Sequence, residues 1–155
     1  KEKLRAQGHR VVIIDLKDGD YLADLGDPKA RQATITKVST EVPVIDGLIT
    51  CAGVASQFPD PGKILQINYF GTTEVIEGLE GNIIPGGRVI AISSNSAPMS
   101  TRPDLIEAML EGSEEKTPAP TIKRVSTDFF FKFNADRTTY QPHRFIFANT
   151  GRQGI

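Results

Sequence analysis

The sequence predicts an α/β fold, an open parallel sheet with helices on both faces. Three apolar runs carry this reading: "RVVIIDL" (10–16), "DGLITCAG" (46–53) and "GGRVIAISSNS" (86–96). Each is rich in β-branched residues and ends in small or polar groups, the pattern of strands buried on both faces. Helical stretches lie between them, and a strand–helix–strand–helix–strand rhythm makes a parallel sheet.

The elements follow in order. "KEKLRAQG" (1–8) reads as a helix with Leu4 toward the core and Gly8 as its C′ residue. It has no Met before it, the pattern of a fragment. "RVVIIDL" is the first buried strand, and "DYLADL" (20–25) is a short second one. Asp27-Pro28 opens a helix, with Pro in its first turn. That helix runs through "KARQATITKVSTEV" with Ala30, Ala33, Val38 and Val42 as core positions. After the strand at 46–53, "PGKILQINYFGTTEVIEGLEG" (61–81) reads as one long helix with Ile64, Ile67, Gly71, Val75 and Leu79 on one face. The third strand ends in hydroxyls, and "RPDLIEAMLEG" (102–112) is a short helix.

From residue 116 the pattern fails. "DFFFKF" (128–133) and "RFIFAN" (144–149) are strand-like, but no helix-period stretch separates them, and a parallel partner needs a crossover. Two alternatives stay open for this irregular, aromatic-rich tail: an antiparallel hairpin at a sheet edge, or "RFIFAN" pairing beside 11–16 or 47–51. Residues 1–115 therefore form the sheet-based region. Residues 116–155 are a tail, either part of the same domain or loosely attached.

Composition narrows the function. With 18 Lys plus Arg against 19 Asp plus Glu the net charge is −1, so neither nucleic acid nor a membrane surface is an expected partner. The apolar runs are too short to span a bilayer, and no signal peptide is visible. The single cysteine, Cys51, excludes an internal disulfide and fits a cytoplasmic protein. Two histidines and no Cys cluster leave no expected metal site. The useful groups stand at the carboxyl ends of the strands, where open parallel sheets bind ligands. These are Asp15, then Ala52-Gly53, then Ser93-Ser94. The small turn at Ala52-Gly53 suits the close approach of a flat ligand or of a packed helix.

These stretches resemble the short-chain dehydrogenase/reductase family, and most closely its bacterial 3α-hydroxysteroid dehydrogenase/carbonyl reductase branch, over residues 1 to about 115. "GHRVVIIDLKD" resembles the family's second strand with its ribose-binding acid. "ADL" (23–25) resembles the adenine-side turn. "CAG" (51–53) stands where the family has Asn-Asn-Ala-Gly, with Thr50-Cys51 replacing the two Asn. "INYFGTTE" resembles the helix with the structural Asn, and "VIAISSNSA" the strand that ends in the catalytic Ser.

The resemblance implies a Rossmann-like fold and an NAD(P)-dependent oxidoreductase acting on a small ketone or secondary alcohol, with self-association left open. Asp15 would accept the adenosine-ribose hydroxyls and repel a 2′-phosphate, favouring NAD over NADP, with Lys17 softening that choice. Asp24 and Leu25 would touch the adenine. Ala52 and Gly53 would let the cofactor approach. Asn68 would hold a water by its kinked backbone, and Ser94 would hydrogen-bond the substrate carbonyl.

Two family features are absent from the matching stretch. One is the glycine-rich turn Thr-Gly-x-x-x-Gly-x-Gly that cradles the pyrophosphate. The other is Tyr-x-x-x-Lys. Tyr140 has Arg144 four residues on, but Pro142 breaks the helix that would align them. The chain's end, Thr150-Gly151-x-x-Gly154, resembles the glycine turn one residue short, which would make the strand order a permuted one. The sequence therefore implies a poor dehydrogenase with weakened cofactor binding. The alternative is a truncated or frameshifted, non-catalytic binding module.

Overall fold

A computed structural model describes residues 1–55, 58–92, 107, 109 and 110 and, for the backbone alone, 144–149. Five strands form one sheet: β1 (Arg10–Asp15), β2 (Tyr21–Leu22), β3 (Ile45–Thr50), β4 (Ile83–Ala91) and β5 (Arg144–Asn149). Their spatial order is β2-β1-β5-β3-β4, and every pairing is parallel.

The place of β5 decides between the two alternatives open for the tail: residues 144–149 pair beside both β1 and β3. "RFIFAN" is not half of an antiparallel hairpin at an edge. It lies in the middle of the sheet, with Val12 and Leu48 both in register with Ile146. The physical reason is the gap it fills. β1 and β3 each carry a full row of main-chain donors and acceptors, and buried rows of this kind must be paired. A six-residue apolar strand between them satisfies both. Counted from β5, the order becomes 3-2-1-4-5, that of dinucleotide-binding sheets, with β5 in the first-strand place.

Helix α1 (Glu2–Ala6) ends as the Gly at position 8 requires. Gly8 has φ +83°, its N–H bonds the Arg5 carbonyl, and the His9 N–H bonds that of Leu4. This is the Schellman closure, which turns the chain into β1. Leu4 is only half buried. β1 is buried along Val11–Asp15. Helix α2 (Pro28–Glu41) starts at Asp27, whose carboxylate accepts the N–H groups of Lys29 and Ala30.

The buried face of α2 differs from the expected one. Arg31, Ile35 and Val38 point inward, followed by Val42, while Ala33 is exposed and Ala30 half exposed. Alanine offers little area to bury, so the larger Ile35 sets the rotation of the helix. Arg31 follows it inward because an acid waits there.

The long helix expected at 61–81 is continuous but not uniform. α3 (Pro61–Leu65) passes through a π-helical turn (Gln66–Phe70) into α4 (Gly71–Leu79). Ile64, Ile67, Gly71, Val75 and Leu79 are all buried, as the spacing predicts. The core lies between the sheet and the α2/α4 layer, where Ile14, Leu25, Ile35, Val38, Leu48, Val75 and Leu79 pack. Each such side chain contributes about 1.5–3 kcal/mol on burial.

β4 is not buried on both faces. Arg88 and Ile90 are exposed on one side, while Val89 packs on the core. Its register with β3 shifts between Ile45 and Gly47, beside Pro85 and the positive-φ Gly86. Such an irregularity suits a strand at the edge of the sheet formed by the described residues. Of the helix expected at 102–112, Glu107, Met109 and Leu110 are described and helical, with Met109 buried against Leu65, Tyr69 and Phe70. No helix among the described residues is long and apolar enough to cross a membrane.

Candidate functional site: the carboxyl edge of the sheet

Because all strands are parallel, their last residues line one edge. Asp15 is in register with Asn149, Thr50 with Ala148, and Thr50 with Ala91. Asp15, Ala52 and Gly53 therefore flank the end of β5, on either side of it. Connections leave in opposite directions at this point, which makes it the sheet's topological switch.

Asp15 is buried at the end of β1. Its Oδ1 accepts the N–H groups of Lys17 at 2.8 Å and Asp18 at 3.1 Å. The loop then folds back tightly. Asp20 accepts the Ile13 N–H at 2.8 Å, and a Cβ on Gly19 would fall 2.8 Å from the Ile13 carbonyl oxygen. Only glycine fits there. The result is a cluster of Asp15, Asp18 and Asp20 with Lys17 beside it, in which Lys1 pairs with Asp18 at 2.8 Å and Arg5 lies 3.9 Å from Asp20.

The turn Asp24–Gly26 is the next wall. Asp24 Oδ1 accepts the Gly26 N–H at 2.8 Å, and Lys63 donates to the Gly26 carbonyl at 2.7 Å. Leu25 is fully buried, and Gly71 leaves room for it. A Cβ on Gly71 would lie 3.3 Å from the Leu25 carbonyl oxygen. A Cβ on Gly26 would meet Ile67 at 2.7 Å, so this turn rests directly on the π-helical segment.

On the other side of β5, β3 ends in Thr50, Cys51, Ala52 and Gly53. The Thr50 hydroxyl is buried without a hydrogen-bond partner among the described residues. Cys51 is half buried. Burial pushes its thiol up, Asp15 pushes it the same way, and the amino terminus pulls it down. Asn68, on the π-helical turn, holds the chain beyond: Val54 N–H donates to Oδ1 at 2.8 Å and Nδ2 donates to the Val54 carbonyl at 3.0 Å. The backbone irregularity expected around Asn68 is thus this π-turn, a feature common at functional sites. One residue of extra winding aims Asn68 at Val54 while Ile67 and Gly71 face the Asp24–Gly26 turn.

The structure therefore brings together Asp15, Asp24, Leu25, Ala52, Gly53 and Asn68 around one edge. Ser94, Tyr140 and the Thr150–Gly154 stretch lie outside the described residues. Sequence reading missed Arg31, whose fully buried guanidinium pairs with Glu74 and reaches the Leu25 carbonyl. An Arg four positions before a core Ile is the one local signal that it shares the buried face. Among the described residues no cluster of three or more His, Cys, Asp or Glu is arranged to hold a metal ion.

The chemistry of the edge suits a dinucleotide: a buried carboxylate ends β1, a small turn follows β3, and the buried Thr50 hydroxyl at the end of β3 has no partner among the described residues. Comparison with known proteins adds to this. No family model matches the chain. It is 31% identical over 119 residues to a 3-alpha-hydroxysteroid dehydrogenase/carbonyl reductase from Comamonas testosteroni, covering 74% of this chain and 46% of that protein. It is 31% identical over 97 residues to a coniferyl-alcohol dehydrogenase of Pseudomonas sp. strain HR199, covering 59% of this chain and 36% of that protein. The crystal structure of a 3-alpha-hydroxysteroid dehydrogenase from Pseudomonas sp. B-0831, complexed with NADH, matches with a TM-score of 0.68 at 32% identity, over 79% of this chain and 49% of its own. The chain thus spans less than half the length of these relatives. Sequence and fold together place the matching part of this chain in the short-chain dehydrogenase/reductase family.

Proposed function

We propose that the carboxyl edge binds a nicotinamide dinucleotide, NAD in preference to NADP, and that the chain belongs by activity class with oxidoreductases of a small ketone or secondary alcohol, of hydroxysteroid type. The observation that carries this is the pairing of Asp15 with Asn149 at the switch point, with Ala52-Gly53 on the other side of the same central strand. The relatives' names and the NADH in one of their structures support it.

In this reading Asp15 accepts from the adenosine-ribose hydroxyls. Its negative charge disfavours a 2′-phosphate. Asp24 and Leu25 meet the adenine, and Ala52 and Gly53 let the nicotinamide half lie against the backbone. When bound, the nicotinamide supplies or accepts hydride. Asn68 holds the Gly53-Val54 turn and, through its π-turn backbone, a water. Ser94 polarises the substrate carbonyl, and Tyr140 is the candidate proton donor. The amides of Thr150–Gly154, which follow β5, are the candidates for the pyrophosphate.

A second reading, a binding module without catalysis, is favoured by one observation. None of Tyr21, Tyr69 and Tyr140 is followed by Lys four residues on. A positioned general acid is worth about 10²–10⁴-fold in rate, so the two readings differ by that margin in turnover and not in binding.

The test is a fluorescence titration with NADH and NADPH of the wild type and of Asp15→Ala. The reading expects saturable binding, tighter for NADH, and a preference that shrinks roughly tenfold in the variant, as for one lost charged contact. Equal affinities in the wild type would refute the assignment of Asp15. Turnover of a hydroxysteroid that vanishes in Tyr140→Phe would favour the enzyme over the module.

A further inference from the structure

Arg31 is buried to 0% exposure in the middle of the molecule, far from any surface role. Its Nε and Nη2 form a two-pronged pair with Glu74 Oε2 and Oε1, at 2.7 and 2.8 Å. Its remaining Nη1 donates to the Leu25 carbonyl at 2.6 Å. A guanidinium is costly to bury, and a buried ion pair gains little over apolar side chains of the same volume. Packing α2 on α4 does not call for it. The third hydrogen bond gives it a job.

That bond reaches further than Leu25. The peptide unit is planar, so fixing the Leu25 carbonyl fixes the Gly26 N–H on the other side of the same plane. The Gly26 N–H donates to Asp24 Oδ1 at 2.8 Å. Arg31 is thus linked to the Asp24 carboxylate through one rigid plane and two hydrogen bonds. The neighbouring contacts keep that plane from sliding. Lys63 takes the next carbonyl, that of Gly26, at 2.7 Å, and Gly71 stands close behind Leu25. Lys63 Nζ also lies 3.8 Å from Asp24 Oδ2, so both carboxylate oxygens are steered.

We propose that Arg31, held in place by Glu74, is a positioning residue that orients the Asp24 carboxylate toward the 6-amino group of a bound adenine. This deepens the dinucleotide reading and rests on it. Lysine cannot do the same work: its three donors share one nitrogen, and a planar fork is needed to hold Glu74 and Leu25 together.

The experiment compares binding of NADH with that of its hypoxanthine analogue, which lacks the 6-amino group, in the wild type, Arg31→Lys and Glu74→Gln. The wild type should favour NADH roughly tenfold, the scale of one charge-assisted hydrogen bond. In both variants NADH should weaken toward the analogue while the analogue's own affinity stays within about twofold. A purely structural role would weaken both ligands by the same factor, and that result overturns the proposal. So does a preference that survives in the variants, or one that is missing from the wild type. If the wild type binds neither ligand, the dinucleotide reading falls as well. Glu74 is partly exposed, so Glu74→Gln carries the test if Arg31→Lys does not fold.

Discussion

Asn68 grips Val54 by both of its main-chain groups, across 14 residues of sequence. The amide can do this in one orientation only, since its reversal would set donor against donor and acceptor against acceptor. The pair ties the turn after β3 to the π-helical segment and so sets where Ala52 and Gly53 stand. Asn68→Ala leaves both Val54 groups without this partner. It should cost about 1–3 kcal/mol in urea denaturation. Asn68→Asp, which points a second acceptor at the Val54 carbonyl, should do no better. A loss below about 0.5 kcal/mol would place the grip among ordinary surface contacts.

The α2–α4 packing is tested at Gly78. A Cβ there would run into Cγ2 of the buried Ile35. Two effects oppose each other in Gly78→Ala. The helix gains roughly 0.8–1.0 kcal/mol in propensity, and overpacking costs about 1–3 kcal/mol. Contact should win, giving no change or a net loss of stability. A gain near the full propensity value would mean that the helices do not meet there.

Tyr21 supplies a pH dependence. Partial burial, then the hydrogen bond to Glu41 at 2.7 Å and the charge of that carboxylate, push its phenol from 10.0 up to about 12. The neutral form is the one favoured by folding. Its contribution is complete below the unfolded value near 10 and is lost as the pH rises from there to about 12. Phenolate absorbance should show a high-pH step that disappears in Tyr21→Phe and moves down in Glu41→Gln. An unchanged step in both variants would dissociate it from this pair.

Much of the scaffold was legible because its causes are local. The β-branched runs of β1 and β3, the Asp27-Pro28 start of α2 and the Gly8 closure of α1 each depend on a few adjacent residues. What was not legible depends on distant partners. Arg31 reads as a solvent residue until Glu74, 43 residues away, is placed beside it. The place of β5 was legible only as one of two alternatives, since pairing parallel strands requires a crossover and residues 116–143 show no helical period; the pairing beside β1 and β3 is the one that holds. The π-turn has no sequence signature of its own. It follows from helix 61–81 having to satisfy Ile67, Asn68 and Gly71 against two different turns.

The central claim is that the carboxyl edge around the end of β5 is the dinucleotide site. Hydrogen–deuterium exchange with and without saturating NADH tests it most directly. Amides at 15–18, 24–26, 52–54 and the end of β5 should be protected. Those at the opposite edge, residues 8–10 and 83–87, should exchange at unchanged rates. Protection confined to that opposite edge, or found nowhere, would contradict the account.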